Sequence, residues 1–296
     1  MKPTTDIAPE MLANEDKFQD PFFKRFKLRH ADAPLQLSAD VSKNYMFPTC
    51  YADVTCAQAI FLCDYKKVKA LLPHKKVKPV KMTMGRAIVA FSNYIYTNVM
   101  NVKPYNEIAM TIPVMVDPVV NIPVLPMLMD KLFKEFGYYV FSMPVTSLEN
   151  QLRGVKIWGL PKVVHEIDIT EQGGECVTEA FDENGGKYVT IKVPTAGKPE
   201  EFDVDANLYS RLGNEFLQSA TRFKATFNVN KNLDVLLKKG KTADRDYLTI
   251  HNGPFADMLR DLDIEPMPLQ TRYATGMNAC FDLPNKKFRS PITFRG

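Results

Sequence analysis

The chain has 296 residues, 45% of them apolar and 24% charged, with a formal net charge of +4. That balance supports a full hydrophobic core and excludes disorder, collagen and long coiled coil. So small a positive surplus lacks the footprint of a nucleic-acid binder, and five scattered cysteines (Cys50, Cys56, Cys63, Cys176 and Cys280) form no C-x-x-C pair and suit a reduced, cytoplasmic setting.

Residues 1–45 mix acids and prolines with a basic cluster, Lys24, Arg25, Lys27 and Arg29, around Phe22, Phe23 and Phe26. They read as an N-terminal extension, either a short helix lying on its own domain or an arm packing on a neighbouring subunit, ahead of a single domain over residues 46–296. Acids and prolines stand where an export signal carries an apolar run. Strands are expected at Cys56–Cys63, Arg86–Tyr96, Ile108–Val116, Tyr138–Met143, Tyr188–Val193, Thr221–Val229 and Tyr273–Leu283, several of them rich in β-branched and aromatic residues. The stretch 172–186, with Glu-Asn-Gly-Gly at its end, reads as strand and hairpin turn. Helical spacing predicts helices over Pro126–Phe136, with Leu128, Leu132 and Phe136 as its stripe and Lys131 and Lys134 off it, and over Ser147–Leu152 and Pro254–Leu262. Strands do not alternate regularly with helices, so the expected class is α+β, a mainly antiparallel sheet or barrel with helices set to the side.

The apolar run Ile112–Met129 is broken by Asp117, Asn121 and four prolines, and no transmembrane segment is expected. Zincin, P-loop, nucleophile-elbow and dinucleotide motifs are all absent, and His30, His74, His165 and His251 form no ligand pair, so no metal site is expected. His165 and Glu166 read as a strand-surface pair. The lysines between Lys66 and Lys81 read as a solvated face around a short helix and turn, without the interleaved aromatics of a nucleic-acid surface.

Lys162 stands apart. It follows Ile157-Trp158-Gly159-Leu160-Pro161, beside the only tryptophan, and precedes Val163 and Val164. Facing solvent, it would snorkel its charge. Facing a cavity, it would lose hydration, drop in pKa and present the free amine of Schiff-base chemistry.

Gly154–Lys162 (GVKIWGLPK) resembles the Schiff-base lysine motif of the acetoacetate decarboxylase family. Tyr105–Val114 (YNEIAMTIPV) is similar to the family's Tyr-x-Glu strand, and Asn252–Phe255 (NGPF) through Pro284 to its Gly-Pro, short helix, proline-bearing loop and final strand. The resemblance runs from about Tyr51 to Pro284. It implies an antiparallel β-barrel or cone with flanking helices, assembly into homo-oligomers, and capture of a small keto acid or other carbonyl substrate by Lys162 as an imine. It also implies that no cofactor is needed, while the charge balance and the broken apolar run already argue against nucleic acid and membrane as partners. Alternation along 105–114 puts Tyr105, Glu107, Ala109 and Thr111 on one face, so Glu107 would join Lys162 as a catalytic residue if that face lines the barrel. Trp158 and Leu160 would line the substrate site, and Arg86 and Arg153 are candidates for holding a substrate carboxylate.

The departures bear on the reaction. The family's decarboxylases place a second lysine after the reactive one, where this chain has Val163. Their early arginine falls near Val54, and the acid-free stretch from Tyr65 to Asn106 leaves no place for their second carboxylate. These departures leave imine formation by Lys162 better supported than decarboxylation, so the expectation is a Schiff-base-forming lyase acting on an acetoacetate-like β-keto acid, with decarboxylation as the leading outcome and two alternatives. One is an aldolase or dehydratase using the same imine. The other is a non-catalytic barrel whose 14 methionines help form a pocket for a small apolar ligand.

Overall fold

The computed structural model describes residues 1–129 and 132–294. In chain order the main elements are β1 (Thr49–Asp64), α1 (Tyr65–Ala70), β2 (Arg86–Tyr96), β3 (Tyr105–Val116), α2 (Leu125–Leu128), β4 (Phe136–Val145) and α3 (Leu148–Trp158). They continue with β5 (Lys162–Val164), β6 (Glu166–Gln172), β7 (Glu175–Phe181), β8 (Lys187–Pro194), β9 (Lys198–Leu212), β10 (Glu215–Lys231), β11 (Leu248–Ile250), α4 (Pro254–Arg260) and β12 (Gln270–Pro284). Seven strands close into a barrel in the order β4-β9-β10-β12-β1-β2-β3, and β3 pairs back onto β4. An odd number of strands cannot alternate direction all the way round, so one seam must be parallel. It lies between β4 and β9 and is short, with Tyr138 opposite Leu208 and Tyr139 opposite Tyr209.

A second sheet, β6-β7-β8-β11, covers one side of the barrel. Its inward residues Ile167, Ala180, Val189 and Ile191 join one apolar core with Phe61, Phe91, Met110 and Ile112 of the barrel wall. The wall strands are therefore buried on both faces, which is why β3 is buried along its whole length. Its two faces differ: Ile108, Met110, Ile112 and Val114 meet the second sheet, while Tyr105 and Ala109 join a separate cluster with Val54, Met143, Trp158 and Leu160. The expected alternation along this strand is what the structure shows.

All seven expected strands are present, most of them longer than the sequence suggests, and the strand and turn expected over 172–186 form β7 and the turn before β8. Of the helices, α4 buries Leu259 and packs Phe255 and Met258 as its spacing requires. The helix expected over Pro126–Phe136 is a correction: among the described residues only the short α2 forms an α-helix there, and of the expected stripe Leu128 is 75% and Leu132 68% exposed while Phe136 is buried as the first residue of β4. Lys131 lies outside the described residues. Residues 1–45 contain two 3-10 turns instead of a helix, and Phe18, Phe22 and Phe23 pack on Cys50, Ala52, Met100 and Cys280 of the barrel. All five cysteines are buried and free. Among the described residues, no helix is long and apolar enough to cross a membrane.

Arg86 is also a correction. It starts β2, about 26 Å along the strand from Tyr94 at ~3.3 Å per residue, and is 1% exposed. Its guanidinium contacts both Glu265 oxygens at 3.1 and 3.0 Å and donates to the carbonyls of Thr83, Val235 and Leu236. With these acceptors around it, it clamps loops together and does not hold a substrate carboxylate. Replacing it with Met should lower unfolding free energy by about 3–5 kcal/mol in urea titrations, because Glu265 is left buried and unpaired. A loss in the surface-pair range of ~0–1 kcal/mol would contradict the clamp.

Candidate active site

The second cluster surrounds a cavity inside the barrel, and Lys162 reaches it by a route set in α3. Ser147 caps that helix, its hydroxyl accepting from the Asn150 N–H at 3.3 Å. The helix ends at Gly159, whose φ of 61° is the left-handed conformation that suits glycine, and the Leu160 N–H closes the turn on the Gly154 carbonyl. The chain then reverses into β5, which pairs with β4 with Lys162 opposite Met143. The lysine stem crosses back over α3 at Gly154. A Cβ built at Gly154 would lie 2.4 Å from Lys162 Cδ and 2.6 Å from Cε.

Glu107 approaches from β3. In the antiparallel pairing with β2 it lies opposite Tyr94, and Tyr105 lies opposite Tyr96, so all four share the inner face. Lys162 Nζ donates to Glu107 Oε2 at 2.5 Å, with both side chains 5% exposed. Tyr96 donates to Oε1 at 3.4 Å and Asn150 Nδ2 to Oε2 at 3.5 Å. Rings enclose the pair: Tyr96 lies 4.7 Å from Tyr51, 5.1 Å from Tyr94 and 4.8 Å from Tyr105, centroid to centroid.

Burial lowers the Lys162 pKa below its ordinary 10.5, against the pull of Glu107, which raises it. Arg153 adds to the lowering. This arginine is 1% exposed, stacks over Tyr45 at 4.3 Å and donates through Nη2 to Thr49, but its Nε and Nη1 have no hydrogen-bond partner among the described residues. Its positive charge also acts on Tyr51 and Tyr105. Burial raises the Tyr51, Tyr96 and Tyr105 hydroxyls above their usual range, so they remain neutral donors. Cys280, at the cavity edge, is pushed up to about 12 by burial and stays a thiol. Among the described lining residues the arrangement offers one amine able to shed its proton, one carboxylate to receive it, and no second nucleophile of comparable reactivity.

Of the residues expected from sequence, Lys162, Glu107, Trp158 and Leu160 line this cavity. Arg153 lies beside it without forming its wall, and Arg86 is remote. Val54 is fully buried and apolar in the same cluster. Asn150, Tyr51, Tyr94, Tyr96 and the lysine-supporting Gly154 were not expected. The alternation of Tyr94 and Tyr96 was the available signal for two of them, but it acquires meaning only once β2 is paired with β3. His165 is corrected from a surface residue to a buried one: its Nδ1 lies 3.1 Å from the Tyr188 hydroxyl, and burial lowers its pKa. Among the described residues no cluster of side chains fits a metal ion.

A profile of the acetoacetate decarboxylase (ADC) family matches residues 32–222. No curated protein matches the sequence. Among solved structures, the chain is similar to one from structural studies of acetoacetate decarboxylase, with 14% identity and a TM-score of 0.52 over 80% of this chain and 87% of that one. It is similar to the acetoacetate decarboxylase of Legionella pneumophila, with 12% identity and a TM-score of 0.52 over 94% and 97% of the two chains. It is also similar to the enduracididine biosynthesis enzyme MppR complexed with pyruvate, with 11% identity and a TM-score of 0.54 over 85% and 98%. At these identities the likeness establishes the shared fold.

Two predictions follow from the local geometry. Amine reactivity of Lys162 should rise with pH and level off below 10.5. Its midpoint should move up in Arg153→Met, which removes a repelling cation, and down in Glu107→Gln, which removes a stabilising anion. Gly154→Ala should fold and yet slow borohydride-trapped adduct formation by about 100-fold, since a displacement near 1 Å at a reacting atom costs that much. An unchanged rate would show that the lysine stem does not depend on the glycine.

Proposed function

The chain belongs to the acetoacetate decarboxylase (ADC) family, and from that premise we propose that it is a Schiff-base enzyme that decarboxylates a β-keto acid through Lys162. The observation that carries this reading is the buried Lys162–Glu107 contact at 2.5 Å in a cavity walled by rings. In this scheme Glu107 takes the ammonium proton, and the free amine adds to the substrate ketone as a C–N bond forms. Protonation of the resulting hydroxyl, with loss of water, leaves a protonated imine. The bond to the carboxylate then breaks, its electron pair moves toward the imine nitrogen, and carbon dioxide leaves a neutral enamine. Glu107, having given its first proton to the leaving hydroxyl and taken another from solvent water, delivers that proton to carbon, and water hydrolyses the imine to release the ketone and the amine.

Arg153 supports this sequence by its field. A fixed positive charge destabilises the ammonium and the protonated imine, so it favours both the free amine at the start and collapse of the cation to the enamine. The tyrosine hydroxyls offer neutral donors to the substrate oxygens. The scheme uses this chain's own side chains throughout.

A second reading has its own observation. Glu107 is the sole carboxylate among the described residues lining the cavity, and one base suffices to draw a proton from a carbon next to an imine. The enamine so formed would attack an aldehyde, and MppR, with a TM-score of 0.51 to this chain, is described as complexed with the condensation product of pyruvate and imidazole 4-carboxaldehyde.

The test is incubation with acetoacetate, and in parallel with pyruvate plus an aldehyde, with and without borohydride. Carbon dioxide release and a trapped adduct on the Lys162 peptide, both lost in Lys162→Met, are expected. Adduct without carbon dioxide, but with a new carbon–carbon bond in the pyruvate arm, would replace decarboxylation by the aldol reading. Absence of any adduct would overturn the imine and leave a binding barrel.

A further inference from the structure

Glu149 and Arg153 lie one turn apart on α3, the spacing at which a glutamate preceding an arginine forms a favoured ion pair on a helix. Both are buried, yet they do not pair. Glu149 Oε1 instead takes the Lys43 ammonium at 3.0 Å and accepts from the Tyr45 hydroxyl. Arg153 keeps one hydrogen bond, to the Thr49 hydroxyl at 2.9 Å, and contacts no carboxylate among the described residues. Tyr45 touches both side chains, with its hydroxyl on Glu149 and its ring 4.3 Å from the Arg153 guanidinium carbon.

Lys43 belongs to the N-terminal extension. It ends a short hairpin in which Ser42–Lys43 pairs with Leu35–Gln36, and the other arm is tied to the same helix, Lys156 Nζ donating to the Gln36 carbonyl at 2.6 Å. Lys43 is 4% and Glu149 7% exposed. Glu10 and Lys103 line the small cavity beside this pair but are exposed, so water screens them. A buried ion pair gives little stability over apolar side chains of the same size, so stability alone does not account for these charges.

On the other side of α3, the titratable groups around Lys162 are Glu107 and Tyr105 of β3, Tyr94 and Tyr96 of β2, Tyr51 of β1, Cys280 of β12 and Arg153 itself. Burial keeps the hydroxyls and the thiol neutral where Lys162 titrates, which leaves Glu107 and Arg153 as the charges acting on it. A carboxylate bound to Arg153 would offset the arginine and relieve the repulsion felt by the Lys162 ammonium. We propose that Lys43 is a positioning residue for Lys162: by holding Glu149 it keeps that carboxylate off Arg153, whose positive charge then acts undivided on the amine. The catalytic meaning of this arrangement rests on the imine reading above, and it makes the N-terminal extension a working part of the site.

The experiment acetylates the intact protein with acetic anhydride over a pH series and reads labelling of the Lys162 peptide by mass spectrometry. In Lys43→Met, Glu149 is released to Arg153, so the Lys162 midpoint should move up and labelling at a fixed pH below it should fall about tenfold, the effect of one neighbouring charge. Lys43→Arg keeps the cation and should label like the wild type. Lys43→Met/Glu149→Gln leaves no unpaired buried charge and should return to the wild-type midpoint; it carries the test also where Lys43→Met alone does not fold. In an Arg153→Met background, Lys43→Met should move the midpoint no further. A double variant that folds and still labels slowly would make Lys43 purely structural and overturn the proposal. A further move without Arg153 would show Glu149 acting on Lys162 directly and would overturn it as well. Acetylation needs no carbonyl substrate, so these results are separate from the imine reading, which falls, and the catalytic role of Lys43 with it, if borohydride traps no acetoacetate adduct on wild-type Lys162.

Discussion

Lys162 and Glu107 meet in a barrel interior whose walls exclude most of the water that would otherwise share their charges. Desolvation penalises the ammonium more than its single carboxylate partner compensates, and the Arg153 charge adds to the penalty. An ordinary surface lysine holds its proton until strongly basic pH. Here the same side chain is placed where losing the proton relieves an electrostatic cost. The tyrosine shell, the glycine under the lysine stem and the unpartnered arginine nitrogens all gain their significance from that one contact.

The topology makes the contact possible. Glu107 lies on β3 and Lys162 on β5, and both strands flank β4, so a separation of 55 residues becomes two hydrogen-bonded neighbours of a single strand. The second sheet buries the outer face of β3, leaving the inner face free to carry polar groups into the cavity. Gly159 ends α3 within three residues of Lys162, and its left-handed turn directs the chain from helix to strand. Arg86 shows the converse. Its charge is as buried as that of Lys162, but Glu265 and several carbonyls satisfy it, so it serves the fold.

Much of this was legible in the sequence, for identifiable reasons. Strands whose two faces are both buried read as long apolar runs, and β1, β2 and β3 were visible on that account. The strand β9 was not, because Lys198-Pro-Glu-Glu begins it and acids occupy its outer positions; its signal is the weaker alternation of Phe202, Val204, Ala206 and Leu208. For the site, the GVKIWGLPK and YNEIAMTIPV segments pointed to Lys162 and Glu107 through family resemblance, and alternation placed Glu107 with Tyr105. Asn150 and Tyr51 had no comparable signal, since their roles arise from where α3 and β1 lie relative to β3. Arg86 misled because an arginine in an apolar strand reads the same whether it faces a cavity or a carboxylate 179 residues away.

The central claim is that burial makes Lys162 give up its proton more readily than an ordinary lysine. Its most direct test is an NMR pH titration of the Lys162 side chain in the intact protein, assigned by comparison with Lys162→Met. The account predicts a midpoint clearly below 10.5, with the other lysines as internal references. A Lys162 midpoint at or above 10.5 would contradict it, because Glu107 would then hold the ammonium more strongly than burial and Arg153 oppose it, and the amine would have no advantage over any exposed lysine.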